Sequence, residues 1–327
     1  MNWMKKIITV FLTILFATTI TFFVIRAMPG DPVESMAMGM LQQGMDYNES
    51  YEKAKAMLNY DPDKPVIEQY VGYLGKLVSG DLGISITSKR PVTEIIASAL
   101  PWTLFILTLS IGIAFTLGVL IGMYVSLKRK TIIDPIVSAY ASVSGSLPDY
   151  IVGFLLVLLF ATNLRWFPAR GAYGPTVQVG MNFEFIGSVL YHACLPVLTY
   201  VVTGMGGWAL SMKGSSVSVL GEDYVMSATA RGLSEKRIRT KYIGRNAILP
   251  LVTSLTISFG MLFGGSPLVE NLFAYPGVGF YLNQAISTRD YTLMQGLFLM
   301  ITIAVVTANI LAEIMYSVLD PRIRTRA

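Results

Sequence analysis

Residues able to do chemistry are scarce in this chain, and their spacing excludes most of the chemistry they suggest. His192 and Cys194 are its lone histidine and lone cysteine. Two soft donors cannot complete a four-ligand zinc-type site, and a single thiol forms no intrachain disulfide, which leaves the redox compartment open. The nearest approach to a phosphate loop runs from Gly72 to Lys76, and GxxxxGK[ST] fails there because Tyr70 stands at the first glycine and Leu77 at the hydroxyl position. No HExxH occurs, and the lone His192 sits at the edge of an apolar run, near a membrane surface, which speaks against an intramembrane protease. The expectation is a chain with no catalytic residues, no bound metal and no cofactor of its own. Carboxylates inside apolar runs mark function by default; Glu313 is the one well inside such a run, with Asp149 and Glu270 harder to place.

The elements that must carry these residues are long and apolar. Of 327 residues, 53% are hydrophobic and 14% charged, against roughly 25% charged in a soluble domain. The apolar residues gather at 7–25, 100–127, 132–161, 191–212, 248–269 and 293–319. At 1.5 Å per residue the shortest of these blocks nearly crosses a hydrocarbon core of roughly 30 Å. The first block exceeds a signal-peptide core and is followed by Arg26-Ala27-Met28-Pro29, a poor cleavage site, so it reads as a retained helix. The fold class is then an all-α integral membrane protein with about six transmembrane helices. Residues 1–28 form the first helix, 29–98 a polar insertion of roughly 70 residues, 99–320 a five-helix core with an internal loop at 213–247, and 321–327 a basic tail.

Charge sets the expected orientation. The net charge of +5 has two ordinary readings, nucleic-acid affinity or cytoplasmic bias in a membrane protein. Lys5, Lys6, Lys128 to Lys130, Lys213, the cations at 231–245 and Arg322, Arg324 and Arg326 all fall on one side; with the long insertion set aside, that side leads by 15 to 4. Both termini are therefore expected in the cytoplasm and the insertion outside it.

Loop 213–247 is written as structure. Glu222 and Asp223 precede a run to Arg231 that a helix dipole favours, Gly232 stops it, and Ser234 with Glu235 opens a second helix rich in Lys and Arg. From the residues alone, a basic helix on anionic lipid and a docking element for a cytoplasmic partner both stay open. Hydroxyls interrupt several apolar blocks, and Ser142, Ser146, Thr256 and Ser258 are candidates for lining a polar route, against plain helix-to-helix hydrogen bonding. Gly118 with Gly122, and Gly260 with Gly264, carry the small-xxx-small spacing of close helix pairs.

The stretch GEDYVMSATARGLSEKRIRTKYIGRNAILP at 221–250 resembles the coupling loop of ABC importer permeases, through Ala228, Gly232, Leu249 and Pro250. Met226 and Ser227 depart from the Glu-Ala pattern in the manner of the peptide and nickel branch. RAMPGDP at 26–32, DLGIS at 81–85, RPV at 90–92, SLPDYIVG at 146–153, RWFPARG at 165–171, HACLPVLTY at 192–200, the stretch 269–296 and LDPRIR at 319–324 extend the likeness to the B-type permease of dipeptide and oligopeptide importers. The resemblance implies a coupling role for Glu222, Asp223, Ala228, Arg231, Gly232, Leu233, Ser234 and Glu235. It also implies a C-type permease partner, two ATPase subunits that use ATP and magnesium, an extracytoplasmic binding protein, and residence in a bacterial or archaeal cell membrane. The same scaffold carries oligosaccharides or nickel chelates, and the chain itself does not name the cargo. A proton-coupled secondary transporter is the competing class; it calls for acidic or histidine residues deep in the bundle and for inverted repeats, and only Glu313 answers that description.

Overall fold

Backbone groups in lipid must be satisfied within their own segment, which leaves helices as the economical answer for long apolar runs. The computed structural model describes residues 3–27, 32–41, 44–58, 64–127 and 132–319, and these are helical apart from loops, turns and one isolated antiparallel bridge between Ile84 and Pro91. Lys128 to Lys130 and the tail 321–327 lie outside the described residues, as does the side chain of Glu313. Four helices are long and apolar enough to cross a membrane, and six spans result if each of two bent pairs counts as one.

The spans are α1 (Trp3–Arg26), α5 (Val92–Leu127), α8 (Phe183–Leu220) and α15 (Tyr291–Leu319). Between α1 and α5 lie α2 (Pro32–Leu41), α3 (Tyr47–Leu58) and α4 (Val66–Val78). The first two share a small core of Val33, Met36, Ala37, Met40 and Ala54. The pair α6 (Ile133–Ser146) and α7 (Asp149–Leu156) bends by 102°. Proline drives the residue before it out of helical geometry, and Leu147, ahead of Pro148, is extended at φ −90° and ψ 129°. A π-helical turn, Val157–Asn163, ends this bent span.

The centre of the bundle is the α5–α8 pair. A Cβ added to Gly118 would stand 2.5 Å from the Cβ of Trp208 and 2.7 Å from the Met205 carbonyl, and one on Gly122 would overlap the Ala209 carbonyl. Missing side chains at these two positions let the backbones meet, as the small-xxx-small spacing predicts. Beyond α8 come the short α9 (Asp223–Ala230), α10 (Glu235–Arg237) running into a π-helical stretch Ile238–Gly244, and α11 (Arg245–Ala247). Then follow α12 (Leu249–Met261), α13 (Pro267–Leu272) and α14 (Val278–Thr288), which lead into α15.

Candidate functional site

The loop between α8 and α12 is a folded bracket. Helix α9 ends in a Schellman arrangement: the Leu233 N–H donates to the Ala228 carbonyl at 3.3 Å and the Gly232 N–H to the Thr229 carbonyl at 3.0 Å. Gly232 sits at φ +70° with nothing within 4 Å of an added Cβ, so glycine is required there by backbone conformation and not by space. Ala228 is the opposite case, at 2% exposure and packed on its own chain. Val225, Ile243 and Ala247 are buried with it, and Ala247 joins Val119, Met212 and Leu251 in a cluster that binds the bracket to α5, α8 and α12.

The outer side of the bracket is free of such packing. Glu222, Asp223, Arg231, Gly232, Ser234 and Glu235 are exposed and Leu233 is half-buried. Ser234 occupies the N-cap position of α10 as the spacing predicts, but its hydroxyl makes no capping bond. Glu235 instead pairs with Arg239 one turn on, at 2.8 Å. The predicted coupling residues therefore divide in two, Ala228 on the buried face and the rest along an exposed edge.

The bend at Leu147–Pro148 opens a cavity of about 300 Å³ lined by Ser110, Ser144, Asp149, Tyr200, Thr203 and Trp208 among others. The Tyr200 hydroxyl is buried without a well-formed hydrogen bond. Ser142 and Ser146 stand on the exposed side of α6 and donate to the Ser138 and Ser142 carbonyls. Thr256 and Ser258 likewise donate to carbonyls of α12, at 3.0 Å each. The cavity thus gathers hydroxyls from α5, α6 and α8, Ser110 and Ser144 of the apolar blocks among them, while Ser142, Ser146, Thr256 and Ser258 do not line it.

Two carboxylates hold the far end of the core together. Glu270, on α13 between the spans, is 3% exposed. Its Oε1 accepts from the Thr103 hydroxyl at 2.9 Å and its Oε2 from the Phe280 N–H at 3.1 Å, while Thr103 accepts from the Val278 N–H at 2.8 Å. These N–H groups belong to the first turn of α14, whose N-cap is Gly277. Glycine has no side chain to cap with, so the cap comes from elsewhere: Glu270 and, across the bundle, Thr103 of α5. Burial raises the Glu270 carboxyl above its ordinary range, and the hydrogen bonds from Phe280 and Thr103 oppose that rise. Asp290 is fully buried and caps α15 through Leu293 N–H at 3.0 Å. Its other oxygen accepts from the Ser85 hydroxyl at 2.5 Å and the Thr87 N–H at 3.0 Å, tying the turn 85–90 to the start of α15. Glycine ahead of α14 and aspartate ahead of α15 are the sequence signals for both caps.

His192 and Cys194 remain apart in role: the His192 Nδ1 lies 2.8 Å from the Ser188 carbonyl and the Cys194 thiol donates to that of Leu190. Among the described residues no group of three or more His, Cys, Asp or Glu could hold a metal.

Residues 114–325 match the profile of the binding-protein-dependent transport system inner membrane component. The chain belongs to that family. It is a multi-pass inner-membrane protein, and its relatives in this family are named as permeases. One is a di/tripeptide transport system permease of Pseudomonas aeruginosa, 32% identical with 94% of each chain covered. Another is an oligopeptide transport system permease of Bacillus subtilis, 31% identical over 94% of this chain and 93% of the relative. A dipeptide transport system permease of Escherichia coli is 30% identical, with 94% of each covered. The family profile takes in the bracket and the cavity walls from α6, α7 and α8, whereas α1 to α4 and the first part of α5, with Ser110, lie ahead of it.

Proposed function

We propose that this chain is one permease subunit of an ATP-driven, binding-protein-dependent importer of di- or oligopeptides. The observation that carries the reading is end-to-end similarity to three permeases whose names specify dipeptides, di- and tripeptides or oligopeptides. In this reading both termini and the 213–247 loop are cytoplasmic, the bent pair of α6 and α7 makes one span and the helix that starts at Leu249 another, and the 29–98 insertion is extracytoplasmic. A C-type permease completes the path, two ATPase subunits hydrolyse ATP with magnesium, and a binding protein delivers the cargo. This chain contributes no catalytic residue and no cofactor.

The bracket suits a coupling role on mechanical grounds. A subunit seated on the exposed edge of Glu222, Asp223, Arg231, Gly232, Leu233, Ser234 and Glu235 would push on an element whose inner face, through Ala228 and Ile243, is packed on its own bundle. Interiors at native density transmit displacement instead of absorbing it. Motion of that edge would therefore reach α8, which lines the cavity, and α12, which leads on to α13 and α14. The hydroxyl-lined cavity is the part of this chain best fitted to line a route, and Ser142, Ser146, Thr256 and Ser258 are candidates on neighbouring surfaces.

The test is purification of the chain with its co-assembled subunits and reconstitution in liposomes with the binding protein. Uptake of labelled dipeptide that requires ATP is the expected result. A chain that purifies alone, or uptake driven by a proton gradient without ATP, would reject the importer. Orientation is tested by cysteines at Glu52 and Glu235, with side chains 74% and 83% exposed, in a Cys194→Ser background. An impermeant maleimide should label only the first in intact cells.

A further inference from the structure

Helix α4 is too short to span a membrane and too apolar to stand in water. Its 13 residues cover about 20 Å at 1.5 Å per residue. At about 100° per residue, Tyr73, Val66, Leu77, Tyr70, Leu74, Ile67, Val78 and Val71 form one continuous apolar arc. Glu68, Gln69, Gly72, Gly75 and Lys76 take the remainder.

Half of that arc has a known partner. Tyr70 lies 5.3 Å from the Phe22 ring and 5.6 Å from that of Phe23, and Tyr73 stacks on Phe22 at 5.3 Å. The Tyr70 hydroxyl meets that of Thr19 at 2.6 Å. The other half has none: Ile67 is 62% exposed, Val71 63% and Val78 90%, and no residue of α4 is buried. The polar side is accounted for, since Glu68, Gln69 and Lys76 face a charged cavity of about 430 Å³ shared with Asp81 and Thr292.

Depth identifies what covers the bare half. Thr19, Phe22 and Phe23 belong to the apolar span Lys6–Arg26. Thr19 is seven residues from Arg26, about 10 Å inside the end of the span at 1.5 Å per residue. A helix that touches α1 at this depth lies among lipid chains, and 5–10 Å is the depth at which amphipathic interfacial helices settle. The apolar arc of α4 also continues the exposed surface of α1 formed by Phe16, Ile20 and Phe23. Tyr70 and Tyr73 fall where aromatic residues collect at membrane boundaries, and Lys76 can extend from the polar side toward headgroups.

We propose that α4 is an interfacial helix embedded in the leaflet nearest the insertion, with Ile67, Leu74, Val71 and Val78 among the lipid chains. The insertion is thereby part membrane-bound and not wholly a soluble domain. This holds whatever the cargo proves to be.

Site-directed spin labels in the full assembly, in nanodiscs of phosphatidylethanolamine and phosphatidylglycerol, test it. Val71→Cys and Gly72→Cys are made in a Cys194→Ser background; Gly72 lies opposite the centre of the apolar arc, and a Cβ there meets nothing within 4 Å. The ratio of collisions with oxygen to collisions with a water-soluble nickel chelate should be several-fold higher at position 71 than at 72. Equal ratios would put α4 in water and overturn the proposal. Loss of access to both reagents at 71 would overturn it in favour of a protein partner on that face. Ile67→Cys carries the same reading if the label at 71 impairs assembly.

Discussion

Replacing Glu270 with alanine removes the cap of α14. Two hydrogen bonds to a charged acceptor go, from Thr103 at 2.9 Å and Phe280 at 3.1 Å, each worth about 1.5–3 kcal/mol. Against this stands the cost of holding a carboxylate at 3% exposure, several kcal/mol in its own right. Alanine recovers that cost but strands a Phe280 N–H and a Thr103 hydroxyl in a buried site, at about 1–3 kcal/mol apiece. The balance is a destabilisation of about 3 kcal/mol. By the per-residue unfolding entropy of soluble domains, a chain of 327 residues would lose about 4 °C of thermal midpoint. Glu270→Gln keeps the volume and one acceptor and should cost about 1 kcal/mol, the worth of one neutral hydrogen bond. The assay is the midpoint for loss of the monodisperse peak when the detergent-solubilised assembly is heated before size exclusion. A Glu270→Ala midpoint within a degree of the parent would refute the capping argument. The pH dependence carries a sign as well. Burial raises the native carboxyl above its unfolded value, so the folded state holds the proton more tightly. This contribution is present at low pH and lost as pH rises through the native value. Glu270→Gln should flatten that part of the stability profile.

Gly232→Ala forces a Cβ into a left-handed residue at φ +70°, a strain of about 1–2 kcal/mol. Gly232→Pro cannot adopt that angle and also loses the N–H donated to Thr229. Both variants should assemble and hydrolyse ATP while transport falls, more steeply for proline; normal peptide uptake by Gly232→Pro would remove the turn from the coupling scheme. Asp290→Ala frees Ser85, Thr87 and the first turn of α15 together. Limited proteolysis should then cut within 81–91 faster than in the parent, and an unchanged rate would mean the carboxylate is not what holds that turn.

The apolar blocks are legible because lipid demands long unbroken apolar runs, and the helix ends fall within a few residues of the runs except where polar turns extend α5 and α8 and where the block 248–269 breaks between α12 and α13. Gly232 is legible for a similar reason: a left-handed stop has few alternatives to glycine. The 102° bend is not, since Pro148 predicts that the helix is interrupted at Leu147 but not which way the next segment turns. That depends on contacts such as Gly206, where a Cβ would stand 2.6 Å from the Ser144 hydroxyl. Glu270 was beyond the sequence because its donors lie 167 and 10 residues away. The apolar arc of α4 is hidden in the composition of the 29–98 insertion, whose charged residues are spread along it with only Glu68 and Lys76 on α4, so that the segment is polar on average.

Buried charge in an apolar bundle invites a transport role, yet the two carboxylates resolved deepest in this chain are already occupied. Glu270 serves α14 and Thr103, and Asp290 serves α15 and the turn 85–90, each with both oxygens bonded. A group so engaged must break a helix cap before it can bind anything else, and the donors it would abandon are buried. Groups able to meet a passing polar solute are those with bonding capacity to spare. Asp149 and the Tyr200 hydroxyl, which makes no well-formed hydrogen bond, line the cavity and answer that description in the proposed importer. They lie where the chain turns through 102°, between the helices that the 221–250 bracket is joined to. Under the proposed import function, carboxylates that build the scaffold would be told from polar groups that meet the cargo by the count of their unused hydrogen bonds, a distinction that neither burial nor charge draws alone.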